Sequence, residues 1–434
     1  MTEIEILEEI LLKKLEGKFV NIDYNEKLKL IKIASKEFYP NIDDESIAKI
    51  FEDLNTLGSI SKLIEDKNIE DIMINNTRNI FIYDSNEGYK KMDFKINSSN
   101  ELEKFVAKLK LYKTNEIAKS NIIDVHIPNG SRANIISSPR GYDITIRNFR
   151  QEPFSIIDLI NKGELTYKIA ARLWLYVDGF KVRPANLIIG GMPGAGKTTL
   201  LNAMFSFFRP EQRIITMEET YELNTEIHEN CINLETSENL SLENLVKNCL
   251  RMRPDLMIIG EVRGAEANDM LTAMNVGKIV MSTIHASTTR DIVNRLTYSP
   301  MNVPIDIIPI IDALIIISQV YKNNKPIRKI TQISEISGIE TGKVLLSDLY
   351  KFDFKTEQAS AMSPSITYRD ILSNILGIPP QYIIKEEDIR AAILEKLNML
   401  GKTSIKEINE IIKQYYKNPK QTLIDLKLID SVNN

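Results

Sequence analysis

One segment restricts the fold more than any other: Gly191-Met192-Pro193-Gly194-Ala195-Gly196-Lys197-Thr198, with Thr199 next. An apolar run at 187–189 precedes it, and a helical apolar pattern starts at Leu200. Strand, glycine turn and helix in that order form the context that a phosphate-binding loop needs. Glycines let successive backbone N–H groups converge on an anion, and the helix N-terminus adds partial positive charge. Lys197 has the reach for the β- and γ-phosphates of ATP, and the Thr198 hydroxyl suits Mg²⁺. Taken alone, the loop specifies nucleotide binding and not its use.

Further apolar runs at 213–216, 256–259 and 279–281 alternate with helical stretches, the signature of an α/β fold with a parallel sheet wrapped by helices. Three of these runs end in groups that carry chemistry. Glu218 and Glu219 follow the first, Glu261 ends the second after Gly260, and His285 follows the third. In open α/β sheets ligands bind at the carboxyl ends of the strands, so these groups are expected beside the loop. Glu261 would polarise an attacking water or hold Mg²⁺ through water, and neutral His285 would sense the γ-phosphate. Arg251, Arg253 and Arg263 flank the Glu261 strand, and a guanidinium fork matches phosphate oxygens.

The rest of the chain divides by pattern. Residues 1–60 read as a helical lead-in, 61–148 as an α+β domain of short strands, 149–165 as a linker, 166–352 as the loop-bearing domain and 353–434 as a helical C-terminal region. The 434 residues are 43% hydrophobic and 26% charged, a globular balance, and the net charge of −4 counts against a dedicated nucleic-acid partner. The acidic start carries no leader pattern, which favours a cytoplasmic product. The stretch 304–318 is apolar but too short and too interrupted to span a bilayer, and reads as buried core. Two cysteines, Cys231 and Cys249, cannot build a tetracysteine zinc site.

The phosphate loop, the Glu218-Glu219 pair, the segment Leu250-Arg251-Met252-Arg253-Pro254-Asp255 with Gly260-Glu261-Val262-Arg263, and Ser282-Thr283-Ile284-His285-Ala286 together resemble the secretion ATPase superfamily. That superfamily powers type II and type IV secretion, type IV and tight-adherence pili and the archaeal flagellum-like filament. The likeness extends upstream through 69–75, 129–134 and 143–149. It implies a RecA-like ATPase domain with a parallel-rich twisted sheet, an α+β N-terminal domain before it and helical segments flanking both. By resemblance, Gly191 to Thr198 form the Walker A loop, Glu218 and Glu219 the acidic box, Glu261 the Walker B glutamate and His285 the histidine box. Gly-Glu at Walker B is then ordinary. Arg132, Arg140, Arg147 and Arg150 become candidates for reaching the nucleotide from the N-terminal side or from a neighbour. The resemblance further implies a homohexameric ring, a polytopic membrane platform protein at the inner face of the membrane and pilin-like subunits as the indirect load. The absent zinc module and the segment 143–147 favour pilus-type assembly; secretion, conjugation export and pilus retraction remain the alternatives, with a DNA-translocating motor behind them.

Overall fold

The computed structural model describes residues 3–20, 22–93, 95–113, 121–149, 152–237, 239–322, 325–360 and 362–430. Two compact units result, one of residues 1–151 with 321–326 and the other of 152–320 with 327–434.

In the first unit, α1 (Glu3–Lys14), α2 (Tyr24–Phe38), α3 (Asp44–Asn55) and α4 (Ser61–Glu65) precede the strands β1 (Ile69–Ile74), β2 (Ile80–Asp84) and β3 (Gly88–Lys91). Then come α5 (Ser99–Lys110), β4 (Ile122–His126), β5 (Arg132–Ser138) and β6 (Gly141–Arg147). Asp23 starts α2 by accepting from Glu26 N–H while Glu26 reciprocates, and Asp43 caps α3. The sheet runs β3-β2-β1-β6-β5-β4, with antiparallel pairs throughout. Alternation puts Ile72, Ile74, Ile144 and Ile146 on the buried face, where they share one core with Leu7, Leu11, Ile50 and Phe51 of the helices. Residue 60 is therefore no structural boundary, because α1 and α3 bury their apolar faces in the same core as the strands.

The second unit opens with α6 (Ile156–Asn161) and α7 (Tyr167–Asp178), so part of the stretch expected as linker is a helix whose Ile156, Ile157 and Leu159 enter the core. It continues with β7 (Leu187–Gly190), α8 (Lys197–Met204), β8 (Ile214–Glu218), β9 (Cys231–Glu235), α9 (Leu242–Cys249), β10 (Leu256–Val262), α10 (Glu266–Asn275), β11 (Ile279–Ile284) and α11 (Thr289–Thr297). The strands β12 (Ala313–Lys322), β13 (Lys325–Glu340), β14 (Lys343–Asp353) and β15 (Gln358–Ala359) complete the sheet, in the order β15-β14-β13-β12-β7-β11-β10-β8-β9. Pairing from β12 through β9 is parallel, as the alternation in sequence requires, and β13-β14-β15 form an antiparallel extension. The apolar stretch near 304–318 becomes a 3₁₀ segment and β12, fully buried at Ala313, Leu314, Ile315 and Ile316.

The closing helices α12 (Thr367–Leu376), α13 (Pro380–Met399), α14 (Ile405–Lys417) and α15 (Pro419–Asp425) bury Ile393, Leu394, Ile408 and Ile412 in the same core as β7. Trp174 of α7 stacks on Phe207 at 5.5 Å and donates to the Tyr416 hydroxyl of α14 at 2.7 Å. Arg390 of α13 meets Asp178 at 2.7 Å with both side chains buried, and removing either partner would strand a charge in the core. The helical tail is thus an integral layer of this unit. No helix among the described residues is long and apolar enough to cross a membrane.

Candidate active site

The loop geometry follows from its glycines. Gly194 and Gly196 hold φ of +75° and +98°, the left-handed region that side chains disfavour. A Cβ on Gly191 would come within 2.7 Å of the Ile317 carbonyl oxygen on β12, so close strand approach also demands glycine there. Met192, Pro193 and Gly194 are exposed, Ala195 and Lys197 are buried, and Thr198 and Thr199 are half-buried in the first turn of α8.

The parallel register then brings distant residues to one edge. β7 lies beside β11, with Gly190 opposite Ile284, and β10 lies between β11 and β8. Glu218, Glu261 and His285 consequently stand at neighbouring strand ends next to the loop. A register shift in the β10–β11 pairing falls between Ile259 and Val262, at the residues that aim the Glu261 side chain.

Lys197, Glu261 and His285 form the centre. Lys197 Nζ donates to the Gly191 carbonyl oxygen at 3.0 Å and lies 3.4 Å from both Glu261 Oε1 and His285 Nδ1. His285 Nε2 lies 2.9 Å from Glu261 Oε1. That oxygen is buried and accepts no hydrogen bond. Burial pulls Lys197 below the usual lysine range, against the attraction of Glu261. Burial also pulls His285 down, and Lys197 adds to the effect, so the imidazole is neutral near pH 7. For Glu261, burial pushes up, but the Arg263 hydrogen bond and the Lys197 charge outweigh it and hold the carboxyl below its ordinary value.

The two acidic-box glutamates separate. Glu218 is buried, and its Oε1 accepts from Glu222 N–H at 3.0 Å and Leu223 N–H at 3.2 Å, which fixes the loop after β8. Glu219 is exposed and pairs with Arg263 Nη1 at 2.8 Å. Gly260 has a packing reason as well, since a Cβ there would lie 3.0 Å from Glu218 Cγ.

The arginines divide. Arg263 joins the cluster through Glu261 and Glu219. Arg253 does not: it precedes β10, and the strand from Leu256 to Glu261 separates the two ends by roughly 16 Å at the usual rise. Arg253 is exposed at φ +56°, on the sheet edge opposite the loop. In the first unit Arg147 ends β6, exposed, 3.8 Å from Asp71 and directly opposite Arg132 of β5. Arg140 is exposed in the β5–β6 turn, and Arg150 lies outside the described residues. Arg328 of β13, which is not among the sequence candidates, donates from Nε to the Gly194 carbonyl oxygen at 3.0 Å. No local motif marks it, because it reaches the loop only across the folded sheet.

The residues fit Mg²⁺. The Glu261 oxygen that accepts no hydrogen bond and the Thr198 hydroxyl are hard oxygen donors of the kind that ion takes alongside phosphate and water. Lys197, the helix N-terminus and the curled loop make the edge attractive to polyphosphate.

The family model described as type II/IV secretion system protein matches residues 53–323. An uncharacterised protein of Methanocaldococcus jannaschii is 28% identical over 394 residues, 87% of this chain and 71% of that protein. A second from the same organism is 35% identical over 253 residues, and the match spans 55% of this chain and only 34% of that protein. The type IV secretion system protein VirB11 of Bartonella henselae is 26% identical over 297 residues, 59% of this chain and 82% of that protein. Among solved structures, the ATPase DotB of Yersinia pseudotuberculosis superposes with a TM-score of 0.50 at 16% identity, covering 82% of this chain and 92% of that chain. The fold is that of the RecA-like secretion ATPases, and the chain belongs to the type II/IV secretion system protein family.

Proposed function

We propose that this protein hydrolyses ATP at the edge formed by residues 191–199, Glu218, Glu219, Glu261, Arg263 and His285, as the motor of a membrane-associated machine that assembles pilus-like filaments. One observation carries the catalytic part: a buried carboxylate oxygen of Glu261 without a hydrogen bond, 3.4 Å from the phosphate-loop lysine and 2.9 Å from His285. Lys197 leaves the Gly191 carbonyl to hold the β- and γ-phosphates, Glu261 orients the attacking water and takes its proton, and His285 donates to the γ-phosphate. Mg²⁺ held near Thr198 and Glu261 would neutralise phosphate charge. Glu218 keeps the acidic loop in place, and Glu219 restrains Arg263.

The motor reading includes a homohexameric ring, Arg147 acting on nucleotide from a neighbouring subunit, a polytopic membrane platform protein and pilin-like subunits as load. The likeness to VirB11 supports a second reading, export through a type IV secretion machine. The site is tested with two variants: Lys197→Ala should lose nucleotide binding, whereas Glu261→Gln should bind ATP and lose about 100-fold or more in turnover. Wild-type turnover in Glu261→Gln would end the assignment of the base. Deleting the gene in its host separates the two cargo readings, by loss of surface filaments or by loss of exported substrate.

A further inference from the structure

The phosphate loop is gripped from outside by the antiparallel extension of its own sheet. Arg328 Nε donates to the Gly194 carbonyl oxygen at 3.0 Å and to Gln319 Oε1 of β12 at 3.4 Å. A Cβ on Gly194 would stand 3.3 Å from Gln319 Oε1, and one on Gly196 3.5 Å from Arg328 Cδ. The two left-handed positions that curl the loop are thus the two that Gln319 and Arg328 flank. A trans peptide directs its C=O and N–H to opposite sides. Holding the Gly194 oxygen against Arg328 therefore turns the Ala195 N–H away from it, where that group closes the turn onto the Met192 oxygen at 3.1 Å. Flipping this peptide would turn the Gly194 carbonyl oxygen toward the Met192 carbonyl oxygen and break the turn that curls the loop.

We propose that Arg328 is a positioning residue of the nucleotide site. It fixes the Gly194–Ala195 peptide and keeps a permanent positive charge beside the cradle, so it sets the affinity for nucleoside di- and triphosphates more than the rate of hydrolysis. This rests on the reading of residues 191–198 as the nucleotide site. Arginine is specified because the contact is made through Nε of a planar guanidinium, which a lysine ammonium does not reproduce.

The test titrates the full chain with a fluorescent ADP analogue and measures steady-state hydrolysis for wild type, Lys197→Ala, Arg328→Ala and Arg328→Lys. Both Arg328 variants should bind the analogue about tenfold more weakly, the scale of a lost hydrogen bond to a charged donor. KM for ATP should rise in step while kcat at saturation changes by less than about twofold. Wild-type affinity in Arg328→Lys overturns the grip, as does a fall in kcat at unchanged KM in either variant. If Arg328→Ala is unfolded by circular dichroism, Arg328→Lys decides. Failure of the wild type to bind the analogue, or unchanged binding in Lys197→Ala, sinks the nucleotide reading itself.

Discussion

Both donors that Arg263 turns toward Glu261 fall on the same oxygen: Nε at 2.9 Å and Nη2 at 2.5 Å from Oε2. Oε1 is thereby left to the side of Lys197 and His285. Arg263 orients the carboxylate as well as charging its surroundings, and Glu219 holds the guanidinium from its far end.

Removing Arg263 should therefore move the acid limb of the pH–rate profile. Glu261 titrates below its ordinary value because Arg263 and Lys197 outweigh burial. Without Arg263 the balance tips toward burial, the folded pKa rises, and the base is lost at higher pH. For Arg263→Ala we expect the acid limb of kcat/KM to shift upward in pH. An unmoved limb would show that Arg263 does not tune Glu261.

Introducing an aspartate before Glu261 should harm this protein. A side chain at 260 meets Glu218 Cγ at 3.0 Å, and Glu218 holds the Glu222 and Leu223 amides. Gly260→Asp is expected to cost about 1–3 kcal/mol by overpacking and like-charge crowding. It should also loosen the acidic loop, read as a lower midpoint in denaturant together with reduced turnover.

Asp312 offers a test of the sheet's opposite edge. It is buried, accepts from Asn186 N–H at 2.7 Å and faces Arg183, yet burial raises its pKa from 3.8 to about 6. The fold prefers the protonated acid, so this contribution is complete below the unfolded value and is lost as pH climbs through about 6. Asp312→Asn cannot ionise. Its stability relative to wild type should therefore rise by roughly 2 kcal/mol between pH 4 and pH 7, whatever offset the lost Arg183 pair introduces. Denaturant titrations of both proteins across that range check the slope.

Local chemistry made much of this protein legible. The strand, glycine turn and helix of the phosphate loop, the alternation behind a parallel sheet and the carboxylates at its strand ends are all short-range patterns. Glu218 and Glu219 could not be told apart until the strand was placed, because β8 ends at Glu218, which is buried, and Glu219 lies exposed in the bend that follows. Arg253 looked like a neighbour of Glu261 in sequence, but a strand's length carries it to the far edge. Arg328 was invisible for the converse reason, being 134 residues from Gly194 along the chain and in contact with it across the sheet.

The sequence by itself determined the strand, glycine turn and helix around residues 191–198, the class of the sheet around them and the family, since each rests on spacing within a few residues or on motifs in order. Tertiary structure alone decided which oxygen of Glu261 is left without a hydrogen bond, which glutamate braces the acidic loop, and which arginine holds the phosphate loop. These depend on strand order and register, which pair residues far apart in the chain.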